Sequence, residues 1–278
     1  MYRIGLIGIE SKHADFFGSI INLEKRFPGF GIHGLWGGDA PVLIPEKAER
    51  LQIGTVCATQ EELIDMSDAV MIITRRGSEH FMPAKRAVLA GKPVFVDKPF
   101  TSDPGEARAL VSLARENKVP LFGGSTLRFL PPVAEVKSLV DAGRADTVFI
   151  RYQADIDSDY DGPWYYGSHL AELCAAICGN RYGTLKALRD AKGMAAVVPY
   201  PHVKALLNTS PGHPGLHISV LGEDVRHFTV DETDCYLYGM EHFVEMLKTK
   251  NPPTDYAHYT GAVSLLADII RSYEAGTD

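Results

Sequence analysis

A short apolar run, Val94-Phe95-Val96, leads directly into Asp97-Lys98-Pro99. The run is β-favouring and is bounded by Gly91 and Pro93 before it and Pro99 after it, which reads as a buried strand of a parallel sheet. In open α/β sheets, ligands bind outside the carboxyl ends of the strands. A carboxylate and an ammonium at that edge, with Pro99 keeping Lys98 out of helical geometry, read as parts of a site. The plain alternative is a surface acid–lysine pair closing a strand. A lysine so placed can hydrogen-bond a substrate oxygen and stabilise developing alkoxide charge, and desolvation would lower its own pKa.

A second stretch with chemical content is Gly8-Ile9-Glu10-Ser11-Lys12-His13. It follows an apolar strand that starts almost at the first residue, where the dinucleotide code G-x-G-x-x-G would fall. Only the first glycine is present. Glu10 stands where bare backbone should approach phosphate, and its charge repels a diphosphate. Ser11 and Lys12 are placed to offset that by donating to phosphate. Asp39, after the second strand, is either the acid that bonds a ribose hydroxyl or a turn aspartate.

Further on, Trp164, Tyr165 and Tyr166 adjoin His169 and read either as a ring-stacking wall for a sugar or as core. His169 and Glu172 share a helix face at i,i+3 and would suit a metal. His213 and His217 have ligand-like spacing, but Pro214 and Gly215 break the helix that would align them. Residues 155–161 space aspartates at every second position, as a calcium loop does, but lack its internal glycine and closing glutamate. No resident metal is expected from any of these, and the acidic tract reads as a solvated loop.

These residues need a scaffold, and the apolar periodicity supplies one. Strands are expected at 3–9, 31–36, 55–58, 68–74, 94–96 and 119–123. Helices alternate with them at 12–25, around 45–51, from an N-cap at Ser78 to residue 89, and from Asp103-Pro104 to about 117. That alternation indicates a doubly wound parallel sheet. After a helix at 136–143, shorter alternating runs at 147–154, 184–189, 195–198, 203–208, 215–221 and 225–230 fit an antiparallel sheet. Amphipathic helices at 234–249 and 256–273 close the sequence. The expected division is 1–122 for a dinucleotide-binding domain and 123–278 for a second α/β domain.

Composition limits the partners. The 278 residues carry a net charge of −7, with 45% hydrophobic and 23% charged residues. That is ordinary for a soluble globular protein, and it argues against nucleic acid, which wants a basic face. The four cysteines are dispersed, apart from Cys174 and Cys178, and read as buried free thiols in a reducing compartment. No leader-like or membrane-spanning run is seen, so a cytoplasmic location is the expectation.

Thr74, Ser78-Glu79-His80, Ala84, Ala87, Gly91-Lys92, Val94 and Asp97-Lys98-Pro99 together resemble the T-P…H…A…A-L…G-K…V…E-K-P block of the Gfo/Idh/MocA oxidoreductases. Arg75 stands in place of the proline and Asp97 in place of the glutamate. Arg128-Phe129 and Pro132 resemble the R-F-x-P start of the family's interdomain helix. The resemblance implies a Rossmann domain, a second α/β domain with a mostly antiparallel open sheet, NAD or NADP as cofactor, and a homodimer or homotetramer. It implies cofactor contacts at Gly8, Ile9, Glu10, Ser11, Lys12, Asp39, Thr74, Arg75, His80 and Asp97. It implies Lys98 and His169 as the catalytic pair, with Arg128, Trp164 and Tyr165 toward a small-molecule substrate. Where the family has an aspartate four residues before the histidine, this chain has Tyr165. The implied activity is oxidation of a secondary alcohol of a sugar, polyol or related molecule. The alternatives are a non-catalytic cofactor- or sugar-binding regulatory protein, and a lyase or isomerase with tightly held cofactor.

Overall fold

A computed structural model describes residues 1–212 and 215–276, which leaves His213 outside the described residues. The chain forms two compact units. The first comprises Met1–Thr101, Gly105–Gly124 and Gly239–Thr254; the second comprises Ser102–Pro104, Ser125–Tyr238 and Asp255–Asp278.

The first unit is built on six strands: β1 (Tyr2–Ile7), β2 (Phe30–Trp36), β3 (Thr55–Val56), β4 (Ala69–Ile72), β5 (Val94–Val96) and β6 (Leu121–Gly123). They lie in the order β3-β2-β1-β4-β5-β6, and every pair is parallel. Every residue of β4 and β5 is buried, as a strand covered on both faces requires. The connecting helices are α1 (His13–Gly18), α2 (Ile44–Arg50), α3 (Gln60–Met66), α4 (Phe81–Leu89) and α5 (Pro104–Glu116). The chain runs outward through β2 and β3, then returns to lay β4 against β1. The carboxyl ends of β1 and β4 therefore form the point where strand order reverses, the usual ligand position in such a sheet.

Two helices differ from expectation. The segment expected as one helix over 12–25 is a six-residue α-turn followed by a π-turn, Ser19–Leu23. Apolar spacing does not distinguish i→i+4 from i→i+5 bonding. The helix expected to start at Ser78 starts instead at Phe81, after a 3₁₀ turn at Gly77–Glu79, with His80 in the capping position. The reason is the His80 side chain, which is drawn fully into the interior.

The second unit carries α6 (Pro131–Asp141), β7 (Thr147–Tyr152), α7 (Pro163–Cys178), β8 (Lys186–Asp190), β9 (Gly193–Pro199), β10 (Lys204–Thr209), β11 (Leu216–Leu221), β12 (Val225–Val230) and α9 (Tyr256–Glu274). Its sheet order is β12-β11-β7-β10-β9-β8; all pairs are antiparallel except β7 with β10. One face is apolar. Val148 and Ile150 of β7, Ala205 and Leu207 of β10 and Ile218 of β11 pack into a core with Leu170, Leu173 and Cys174 of α7 and Leu265, Leu266 and Ile269 of α9. That alternation of buried and half-exposed positions is the period-2 signature of a sheet covered on one side. A further helix, α8 (Cys235–Thr249), begins in the second unit, and its residues from Gly239 onward belong to the first. There Phe243 packs against Phe95 and Phe122, with ring centroids 5.5 and 6.3 Å apart.

Candidate active-site residues

In the first unit, the carboxyl ends of β1 and β4 meet at Gly8. Its φ is +98°, and a Cβ there would lie 2.6 Å from the Thr74 backbone nitrogen, so only glycine fits. The turn that follows is held by side chains from outside it. Asp39 accepts from the backbone N–H of Ile9 at 2.9 Å and of Glu10 at 3.0 Å. Lys47, which the sequence did not single out, is buried and donates to the carbonyls of Ile9 at 2.5 Å and Ser11 at 3.2 Å. Ser11 Oγ accepts from the His13 N–H at 3.1 Å. Glu10 lies 3.6 Å from the Arg75 guanidinium, and Lys12 is exposed at the head of α1.

Beside this turn, His13 Nδ1 is 2.6 Å from an oxygen of Asp97, which is 3% exposed. Burial works to raise the Asp97 pKa, but His13 and Lys98 outweigh it and hold the carboxyl below its usual range. Lys98 is buried at the end of β5. Burial pushes its ammonium down to about 8; Arg75 adds to that effect and Asp97 opposes it. His80 is fully buried, with Nδ1 2.7 Å from the Pro99 carbonyl and Nε2 2.8 Å from the Thr74 carbonyl. It thus bridges the chain after β4 to the chain after β5. Burial lowers its pKa against the pull of those two acceptors.

Among the residues expected at a cofactor, Gly8, Ile9, Glu10, Asp39, Thr74 and Arg75 are linked to one another, as are Asp97 and Lys98. A dinucleotide is offered cationic groups at Lys12 and Arg75. It is also offered the Thr74 hydroxyl, which is buried without a hydrogen-bond partner among the described residues. These residues fit such a group, although Asp39 already occupies two of the turn's amides.

The second unit places His169 in the middle of α7, 8% exposed. Its Nδ1 is 2.7 Å from the hydroxyl of Ser125, two residues past the end of β6. Tyr152 of β7 lies 5.0 Å from the imidazole centroid and Tyr166 lies 6.2 Å away, nearly stacked. Tyr152 donates to Glu232 at 3.1 Å, and burial raises the pKa of both groups. Tyr165 packs between Tyr160 and Tyr166. Trp164 is half-buried against the core. Arg128 is buried, and its Nη1 donates to the Ser125 carbonyl at 2.9 Å and to Glu172 at 3.0 Å. The same Glu172 oxygen is 3.1 Å from His258 Nε2.

Glu172 is thus engaged by an arginine and a second histidine. Among the described residues no cluster of three histidines, cysteines or acids is placed to hold a metal. In the acidic tract, Asp157 pairs with Arg189 and Asp161 accepts from Ser102. All four cysteines are free thiols. Among the described residues no helix is long and apolar enough to cross a membrane. Ser125, Tyr152, Glu232 and Lys47 carry no motif. Only the position of Ser125, just past a strand's carboxyl end, is a signal visible in the sequence.

Residues 2–125 match the family profile described as oxidoreductase family, NAD-binding Rossmann fold (Gfo/Idh/MocA). The chain is 32% identical over 89 residues to D-xylose 1-dehydrogenase (NADP(+)) of Hypocrea jecorina, covering 32% of this chain and 23% of that protein. It is 31% identical over 119 residues to myo-inositol dehydrogenase Hyg17 of Streptomyces leeuwenhoekii, covering 42% and 37%. These alignments span well under half of either relative. The solved structure of UDP-N-acetylglucosamine 3-dehydrogenase from Acidithiobacillus ferrooxidans superposes with a TM-score of 0.81 over 98% of both chains at 20% identity, a likeness of fold.

Proposed function

We propose, from the match of residues 2–125 to the Gfo/Idh/MocA oxidoreductase profile, that the chain is an NAD- or NADP-dependent dehydrogenase acting on a secondary alcohol of a sugar, polyol or related small molecule. The observation that carries this reading is Lys98: a lysine buried at the carboxyl end of β5, beside a buried carboxylate, with its ammonium pushed down to about 8. A strongly perturbed ionisable group at a sheet's ligand-binding edge is the expected mark of catalytic use. Gly8, Ser11, Lys12, Asp39, Thr74 and Arg75 would hold the cofactor. When bound, its nicotinamide supplies the hydride acceptor.

The chain's own residues handle the oxygen and its proton. Lys98 donates a hydrogen bond to the reacting hydroxyl oxygen and stabilises the negative charge that grows on it. In this reading His169 would take the hydroxyl proton as the carbon–hydrogen bond breaks, leaving a ketone. Tyr166, nearly stacked on His169, would offer an aromatic face to a ring or polyol chain, with Tyr165 packed behind it. Lys98→Ala is expected to lower turnover by about 100-fold or more while changing NAD affinity less than threefold. Reduced-cofactor absorbance with a panel of polyols, together with nicotinamide fluorescence quenching, measures both. Unchanged turnover in the variant would refute the assignment. Because Lys98 acts as an ammonium, kcat/KM is expected to fall above about pH 8.

The hold of Asp39 on the turn's amides favours a second reading, a protein that binds the cofactor or a sugar without turning it over. Saturable quenching with no reduction of either cofactor across the panel is the result that would favour it.

A further inference from the structure

The family resemblance leads one to expect a carboxylate four residues before the histidine, and Tyr165 occupies that position. The ring nitrogen is nevertheless engaged. Ser125, fully buried, sets its hydroxyl 2.7 Å from His169 Nδ1. The same serine is held by its backbone, since its carbonyl accepts from Arg128 Nη1, which also donates to Glu172. Glu172 lies three residues along α7 from His169, on the same face of the helix. The contacts therefore close a circuit: Ser125 hydroxyl to His169, along the helix to Glu172, through Arg128 and back to the Ser125 carbonyl. His258 supports Glu172 from α9 at 3.1 Å. A satisfied core histidine needs one partner. This circuit fixes both ends of that partner, and its outlet is an imidazole flanked by the rings of Tyr152 and Tyr166.

We propose that Ser125 is the positioning residue for His169, its hydroxyl accepting from Nδ1–H and so presenting Nε2 as the nitrogen that exchanges a proton with substrate. The inference rests on the reading of His169 given above. A carboxylate partner would orient the ring and also stabilise its charged form. A hydroxyl orients it without adding a charge, and it can accept from Nδ1–H whether the ring is neutral or has taken up a proton. The serine thus keeps one tautomer throughout the cycle.

The test uses the full-length protein with ¹⁵N-labelled histidine. Long-range proton–nitrogen correlation is expected to show His169 protonated on Nδ1 in the neutral ring, and a mixture of tautomers in Ser125→Ala. In the same variant kcat is expected to fall roughly 10-fold, with substrate KM and NAD affinity within about twofold of wild type, as befits loss of orientation rather than of binding. A wild-type ring protonated on Nε2, or a Ser125→Ala variant with unchanged tautomer and kcat, overturns the inference. The variant His169→Asn separates the two claims. If it retains turnover, the reading of His169 fails. If it is inactive while Ser125→Ala matches wild type, only the role of Ser125 fails. Should no polyol be turned over, the tautomer measurement decides alone.

Discussion

Lys98 carries its charge in the first unit against the grain of its surroundings. In an unfolded chain the ammonium titrates at its ordinary value of 10.5; in the fold, burial brings it to about 8. Below pH 8 both states hold the proton, and the native state bears the full cost of a desolvated cation. Between pH 8 and 10.5 the native protein releases the proton while the unfolded chain keeps it, so this group makes stability rise with pH. Lys98→Met is therefore expected to be more stable than wild type at pH 7, by roughly 3 kcal/mol at most, with the gap closing by pH 10.5. Urea unfolding at pH 7 and pH 10 reads this directly; a variant no more stable than wild type at pH 7 would count against a buried charged lysine. At this scale the sequence disclosed much. Asp97-Lys98-Pro99 marked its own position because strand, acid, cation and proline are contiguous. Ser125 and Lys47 did not, since each acts on a partner more than 35 residues away and nothing local distinguishes such a serine or lysine from a surface one.

Strands β4 and β5 were readable because a doubly covered parallel strand must be apolar throughout. The helix after β1 was not, because its π-turn preserves the apolar spacing of an α-helix. Between elements, the Arg128–Glu172 contact ties the 3₁₀ turn Thr126–Phe129 to the middle of α7, with both side chains 3% exposed. An ion pair this buried gains little over an apolar pair of the same shape, but losing one member strands the other without solvent. Glu172→Leu is expected to destabilise the protein by about 3–5 kcal/mol, and the double variant Arg128→Met, Glu172→Leu to recover most of that loss. Denaturant midpoints of the two variants test the pair; a double variant as unstable as the single would show that the contact is not the source. Sequence spacing alone put His169 and Glu172 on one helix face. It had no means of showing that the arginine of the R-F-x-P stretch would claim the carboxylate.

For the whole molecule, the first unit joins Met1–Thr101 and Gly105–Gly124 to Gly239–Thr254 from far along the chain. Hydrophobic pattern identifies an amphipathic helix without saying which core it completes. Phe95, Phe122 and Phe243 are all fully buried and in mutual contact, so the parallel sheet depends on that late segment for part of its cover. A chain cut after Gly124 is expected to bind a hydrophobic dye and to lack a cooperative melt; adding the 239–254 peptide should reduce dye binding. A fragment 1–124 that melts cooperatively alone would contradict this. Helix α8 is also continuous across residue 239, with its first residues counted in one unit and the remainder in the other. Loss of the first unit's core would therefore fray this helix from residue 239 and reach back along it toward Cys235.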